Sequence, residues 1–185
     1  RTVAKLLGAG NDDLLLRANA TETKLKQTNL EGYRVIQFAT HGLVAGDLSG
    51  YDEPALVLSP PAEGTELDDG LLTASEVANL RLTADWVVLS ACNTASGSNA
   101  GAEALSGLAR AFFYSGARGL LVSHWAVDSE AAVYLTTQTF AALAANPKLG
   151  RAEAFRRTML GLIDAGRPPA YWAPFVVVGE GAATR

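Results

Sequence analysis

The chain has a single cysteine among its 185 residues, which excludes an intramolecular disulfide and leaves nothing that points to an oxidising compartment. It has no apolar stretch approaching the roughly 18 residues of a membrane span. It has no secretory leader, and because it starts at Arg1 its native amino terminus is expected to lie upstream. It also has no basic excess. A formal net charge of −4 argues against nucleic acid as a partner, since phosphate binding favours a basic face. Together these absences lead to the expectation of a cytoplasmic protein with neither membrane nor nucleic acid as partner.

Several kinds of chemistry are missing as well. Gly8-Ala9-Gly10 lacks the third glycine and the preceding strong strand of a dinucleotide fingerprint. There is no Gly-x-x-x-x-Gly-Lys-Ser/Thr phosphate loop, and no serine is centred in Gly-x-Ser-x-Gly, so a nucleophile elbow is absent. No Cys or His cluster has metal-ligand spacing, and neither a metal nor a cofactor is expected. With no internal repeat, low-complexity tract or linker, residues 1–185 read as one domain.

What is present is a 49% hydrophobic chain whose short apolar runs alternate with helical patterns. The runs at Tyr33–Phe38, Ala55–Leu58, Trp86–Leu89, Gly119–Ser123 and Phe175–Val178, with a weaker one at Leu14–Leu16, read as strands. Helices are predicted over Glu22–Gln27 behind a Thr21 cap, over Glu76–Leu80 behind the capping box Thr73-x-x-Glu76, and over Glu103–Tyr114, Glu130–Ala145 and Arg151–Ile163. The polar, glycine-bearing segments Gly42–Glu53 and Thr94–Gly101 read as loops, and Asp68-Asp69 as part of an exposed turn. This alternation predicts an α/β fold: a mostly parallel sheet covered by helices on both faces.

In such a sheet, functional groups collect outside the carboxyl ends of the strands. Two of the predicted strands run there into reactive side chains: Phe38-Ala39-Thr40-His41-Gly42 and Leu89-Ser90-Ala91-Cys92-Asn93-Thr94. His41 can move protons near neutral pH, and Cys92, as a thiolate, can attack a carbonyl. The Gly42 N–H, with no side chain in the way, can join that of Cys92 in an oxyanion hole. After a third strand come His124, Trp125 and Asp128. His124 reads as a pocket-wall or hydrogen-bonded imidazole, Trp125 as core or cleft wall, and Asp128 as a helix cap or a pocket carboxylate.

The histidine stands about fifty residues before the cysteine, as in caspase-type proteases. The chain resembles the CHAT domains, caspase-like modules of the clan CD cysteine peptidases that are often fused to tetratricopeptide repeats. Four further stretches carry the resemblance besides the histidine motif and the cysteine motif, which for this purpose runs from Val88 to Thr94: Asp69–Glu76, Gly107–Phe112, Ser123–Asp128 and Tyr171–Phe175. The family usually has another strand and part of a helix before the point where this chain starts, and it carries leucine or another residue at the position of His124. The resemblance implies a caspase-like three-layer sandwich, truncated at the amino end, and a cysteine endopeptidase that acts through His41 and Cys92 on a protein or peptide substrate. It also implies an upstream tetratricopeptide or sensor domain. Because Gly42–Glu53 and Thr94–Gly101 flank the proposed site and are short of apolar anchors, the isolated domain is expected to be latent until an activator orders them. In separase-like relatives an aspartate after a Leu-Trp-x-Val segment receives a basic residue. Ser123-His124-Trp125-Ala126-Val127-Asp128 is similar, so cleavage after a basic residue is expected. A catalytically silent scaffold is the alternative of a different class.

Overall fold

The computed structural model of the protein describes residues 1–182 other than Tyr51, Ala62, Glu66, 91–99 and Ala126. Helix α1 (Thr2–Leu6) is followed by a glycine turn, and α2 (Glu22–Gln27) starts behind Thr21, whose hydroxyl accepts from the Lys24 N–H. Then come β1 (Val35–Phe38), β2 (His41–Leu43), β3 (Ala55–Val57) and β4 (Leu71–Thr73). Helix α3 (Ala74–Ala78) opens on the complete Thr73/Glu76 capping box and leads to β5 (Trp86–Leu89). The second half holds α4 (Ala100–Tyr114), β6 (Gly119–Ser123), α5 (Ser129–Ala145), α6 (Arg151–Asp164), α7 (Pro169–Trp172) and β7 (Phe175–Gly179).

The main sheet has the order β1-β5-β6-β7, with β1, β5 and β6 parallel and β7 antiparallel. Its central strands obey the period of two. Val87 and Leu89 of β5 join a buried cluster with Val77 of α3 and with Leu108 and Phe112 of α4. Trp86 and Val88 join a second cluster with Ala131, Leu135 and Phe140 of α5 and Phe155 of α6. Fully burying a Leu or Phe contributes about 1.5–3 kcal/mol, and these two clusters hold the helices to the sheet. None of the described helices is long and apolar enough to cross a membrane.

A second sheet, antiparallel and ordered β2-β3-β4, corrects the reading of Gly42–Glu53 as a loop from its first residue. His41 pairs with Val57 and Gly42 with Leu56, so the segment begins as a strand. Leu14–Leu16 is a second correction: it joins no ladder and leads into a 3-10 turn at Arg17–Asn19. That apolar run packs rather than pairs, with Leu15 against the first core cluster. Ala100 and Gly101, read as loop, belong to α4; the remainder of that segment, 94–99, lies outside the described residues.

Asp68, read as part of an exposed turn, is buried. Its Oδ2 accepts from the Thr23 N–H at 3.0 Å and the Thr23 hydroxyl at 2.6 Å. Beside it Glu22, only 1% exposed, accepts from the Asp69 and Gly70 N–H groups. The Lys26 ammonium donates to Glu22, Glu76 and the Leu67 carbonyl. This clamp ties α2 to the turn before β4 and to α3. The Thr23 hydroxyl, ahead of its other contacts, holds the Asp68 carboxyl below the usual aspartate value. Burial alone would raise Glu76 and lower Lys26, but the hydrogen bonds and charges of Glu22 and Glu76 on Lys26, and of Lys26 and Thr73 on Glu76, prevail, so Glu76 titrates lower and Lys26 higher than usual. The carboxylate contribution to stability is therefore present above about pH 4 and lost as pH falls through the lowered folded-state values. The lysine contribution is lost only on the alkaline side. We expect the denaturation midpoint to drop below about pH 4, and Asp68→Asn to make that drop shallower; urea titrations across pH check it.

At the amino ends of the parallel strands a row of charges crosses the main sheet. Arg34, before β1, donates to Asp85, before β5, at 2.7 Å. Arg118, before β6, lies 3.5 Å from Asp85 and 2.7 Å from Glu180, which follows β7. Asp85 is buried, and the two guanidinium groups compensate its charge.

Candidate functional site

Parallel pairing fixes which strand ends are neighbours. Phe38 is in register with Leu89, so β1 and β5 finish side by side, and β6 flanks β5 on its other side. Ser90 fastens the junction: its N–H and its hydroxyl both donate to the Phe38 carbonyl, at 3.0 and 3.2 Å. This serine carries no sequence signal beyond following an apolar run, and sequence reasoning missed it.

His41 comes three residues after Phe38, and Cys92 three residues after Leu89. His41 is exposed at the start of β2, and its imidazole has no hydrogen-bond partner among the described residues. Gly42 is buried opposite Leu56. Cys92, the proposed nucleophile, lies outside the described residues.

The third strand end holds the other singled-out residues. The β6–β7 ladder ends at Ser123–Phe175 and is extended by the His124 N–H donating to the Pro174 carbonyl at 2.7 Å. The His124 and Trp125 rings stack, with centroids 6.1 Å apart and planes 28° from parallel. Trp125 is 41% exposed, which removes it from the core and leaves an aromatic surface at this edge. Asp128 caps α5: its Oδ1 accepts from the Glu130 N–H at 2.9 Å and the Ala131 N–H at 3.0 Å. Its Oδ2 accepts no hydrogen bond among the described residues. Among those residues no group of three or more His, Cys, Asp or Glu could hold a metal ion.

The described elements thus define an α/β protein with a mostly parallel sheet, whose carboxyl edge carries a solvent-facing imidazole and a stacked imidazole–indole pair. The CHAT domain family matches residues 1–180, and the chain belongs to that family, which is caspase-like and related to the cysteine peptidases. It is also similar to a mouse (Mus musculus) protein described as tetratricopeptide repeat protein 28, with 29% identity over 153 residues. The match covers 76% of this chain and 6% of that protein, so the chain spans a small fraction of the relative's length.

Proposed function

We propose that this chain is a cysteine endopeptidase in which Cys92 attacks the scissile carbonyl and His41 is the general base. The pairing of Phe38 with Leu89 carries the reading, because it sets the two strands that lead into His41 and Cys92 side by side and in step. In the first step His41 takes the thiol proton, and the sulfur adds to the carbonyl carbon. The resulting oxyanion is held by the Gly42 and Cys92 N–H groups. Collapse to the acyl-enzyme expels the amine, which takes its proton from the imidazolium. Water, deprotonated by His41, then releases the acid. Burial of the helical clusters on alternate sides of β5 supports the caspase-like three-layer arrangement for this chemistry.

The cleaved residue in this reading is basic. Asp128 spends one carboxylate oxygen on its helix and leaves the other open at the edge where Trp125 is exposed. A guanidinium can pair there with the carboxylate. The enzyme is latent until activated: among the described residues the His41 imidazole has no orienting partner, and the polar, glycine-bearing sequence of Gly42–Glu53 and Thr94–Gly101 offers few apolar anchors to hold the site without an activator. Tetratricopeptide repeats, present by name in the mouse relative, are the proposed neighbouring module that supplies activation. The test is whether Cys92 reacts with a peptidyl acyloxymethyl ketone faster than a free thiol does. A rate no better than that of glutathione, measured in the protein together with its activating module, overturns the reading and leaves a scaffold.

A further inference from the structure

Beside the same edge lies a cavity of about 300 Å³ between α5, α6 and α7. Its walls are mostly apolar: Ala131, Tyr134, Leu162 and Tyr171, with Gly161 at the point where α6 passes the Tyr134 hydroxyl. The cavity is tied to the strand ends from two directions. Asp128 leads directly into its Glu130 wall, and Tyr171 stands one short turn before Phe175, the partner of Ser123. Two of its lining residues are charged, Glu130 and Arg167, and both are exposed.

Arg167 is held in a way that leaves its charge available. Its guanidinium carbon lies 4.0 Å from the centroid of the Tyr171 ring, while its backbone is fixed by the Leu162 carbonyl and the Trp172 indole N–H. Among the described residues the guanidinium has no carboxylate partner. Stacking restrains the plane of the group but leaves its edge donors unused, and a planar fork of this kind fits a carboxylate. An apolar recess next to an oriented, unpaired cation selects an apolar side chain with an acidic neighbour. Glu130 disfavours a second carboxylate on the other flank.

We infer that this cavity is a docking site for a polypeptide segment in which a bulky apolar side chain, seated among Tyr134, Leu162 and Tyr171, is followed by an acidic residue paired with Arg167. The inference rests on the endopeptidase reading only in taking a polypeptide as the ligand; the segment is distinct from the residue that is cleaved. Docking here tethers the substrate beside the strand ends and raises the local concentration of its scissile bond.

Binding and cleavage separate the two claims. The probe is a fluorescein-labelled eight-residue peptide, glycine and serine except for a central phenylalanine followed by glutamate, titrated by anisotropy into the full chain carrying Cys92→Ala. Two variants report on the cavity. In Gly161→Leu the new side chain fills the recess, and because only the Tyr134 hydroxyl, at 3.9 Å, lies within 4 Å of a Cβ there, the helix keeps its packing. Arg167→Gln removes the charge. Each is expected to weaken binding about tenfold or more, as is replacing the peptide's phenylalanine by alanine or its glutamate by glutamine. With Cys92 restored and the activating module present, both variants should still cleave short peptides that lack the docking segment. Undiminished affinity in either variant, or no binding by the parent, overturns the docking site. No cleavage by any form that keeps Cys92, with the activating module present and binding intact, would instead overturn the endopeptidase reading alone.

Discussion

Cys92→Ala and His41→Ala are each expected to lower peptide cleavage by about three orders of magnitude or more, because nucleophile and base act as a unit and either one alone accomplishes little. His41 is exposed, so its replacement removes no core contact, and the far-ultraviolet circular dichroism and melting temperature of that variant should match the parent. The double variant should be about as inactive as either single one. Full activity in a folded single variant would remove the dyad from the mechanism.

The second large effect concerns selectivity and turns on separating the two jobs of one carboxylate. Asparagine caps helices about as well as aspartate. Asp128→Asn should therefore keep both hydrogen bonds to the first turn of α5 and leave stability nearly unchanged. It should, however, cut the preference for arginine over a neutral residue before the scissile bond by about tenfold or more, because a charge-assisted pair becomes a neutral one. Asp128→Ala loses both functions and should in addition cost about 1 kcal/mol of stability. Profiling a peptide library with parent and variants measures the preference directly. An unchanged arginine preference in Asp128→Asn, or a parent that prefers acidic or large apolar residues, contradicts the assignment.

The parts of this fold that were legible in the sequence are those specified locally. Thr21 and the Thr73/Glu76 pair announce their helices because a cap bonds within three residues of itself. The β5 strand was legible because Trp86–Leu89 is a continuous buried run between polar neighbours. The small sheet was not legible as a sheet. His41–Leu43 and Leu71–Thr73 are each too short to show a period, and both are strands only because β3 lies between them. Asp68 misled because its partner, Thr23, is 45 residues away, a distance at which a turn residue and a buried hydrogen-bond acceptor look alike. At the candidate site, the position of His41 after a strand was readable, whereas its place in a second ladder was not. The Ser90 fastening depends on the register of β1 against β5, which no local pattern encodes.

The row of charges across the amino edge bears on how the chain finds its topology. Read in the spatial order β1-β5-β6-β7, the residues are Arg34, Asp85, Arg118 and Glu180, a strict alternation of sign. Once the sheet is built, such partly exposed pairs contribute little, under about 1 kcal/mol each. Their effect is larger on the competing arrangements. A collapsed chain that placed β1 directly against β6 would juxtapose two arginines, and one that placed β5 against β7 would juxtapose two carboxylates. Each misordering gives up an attraction and gains a repulsion at once, so the alternation penalises the wrong neighbours while the apolar strands, nearly interchangeable in composition, are still choosing among themselves.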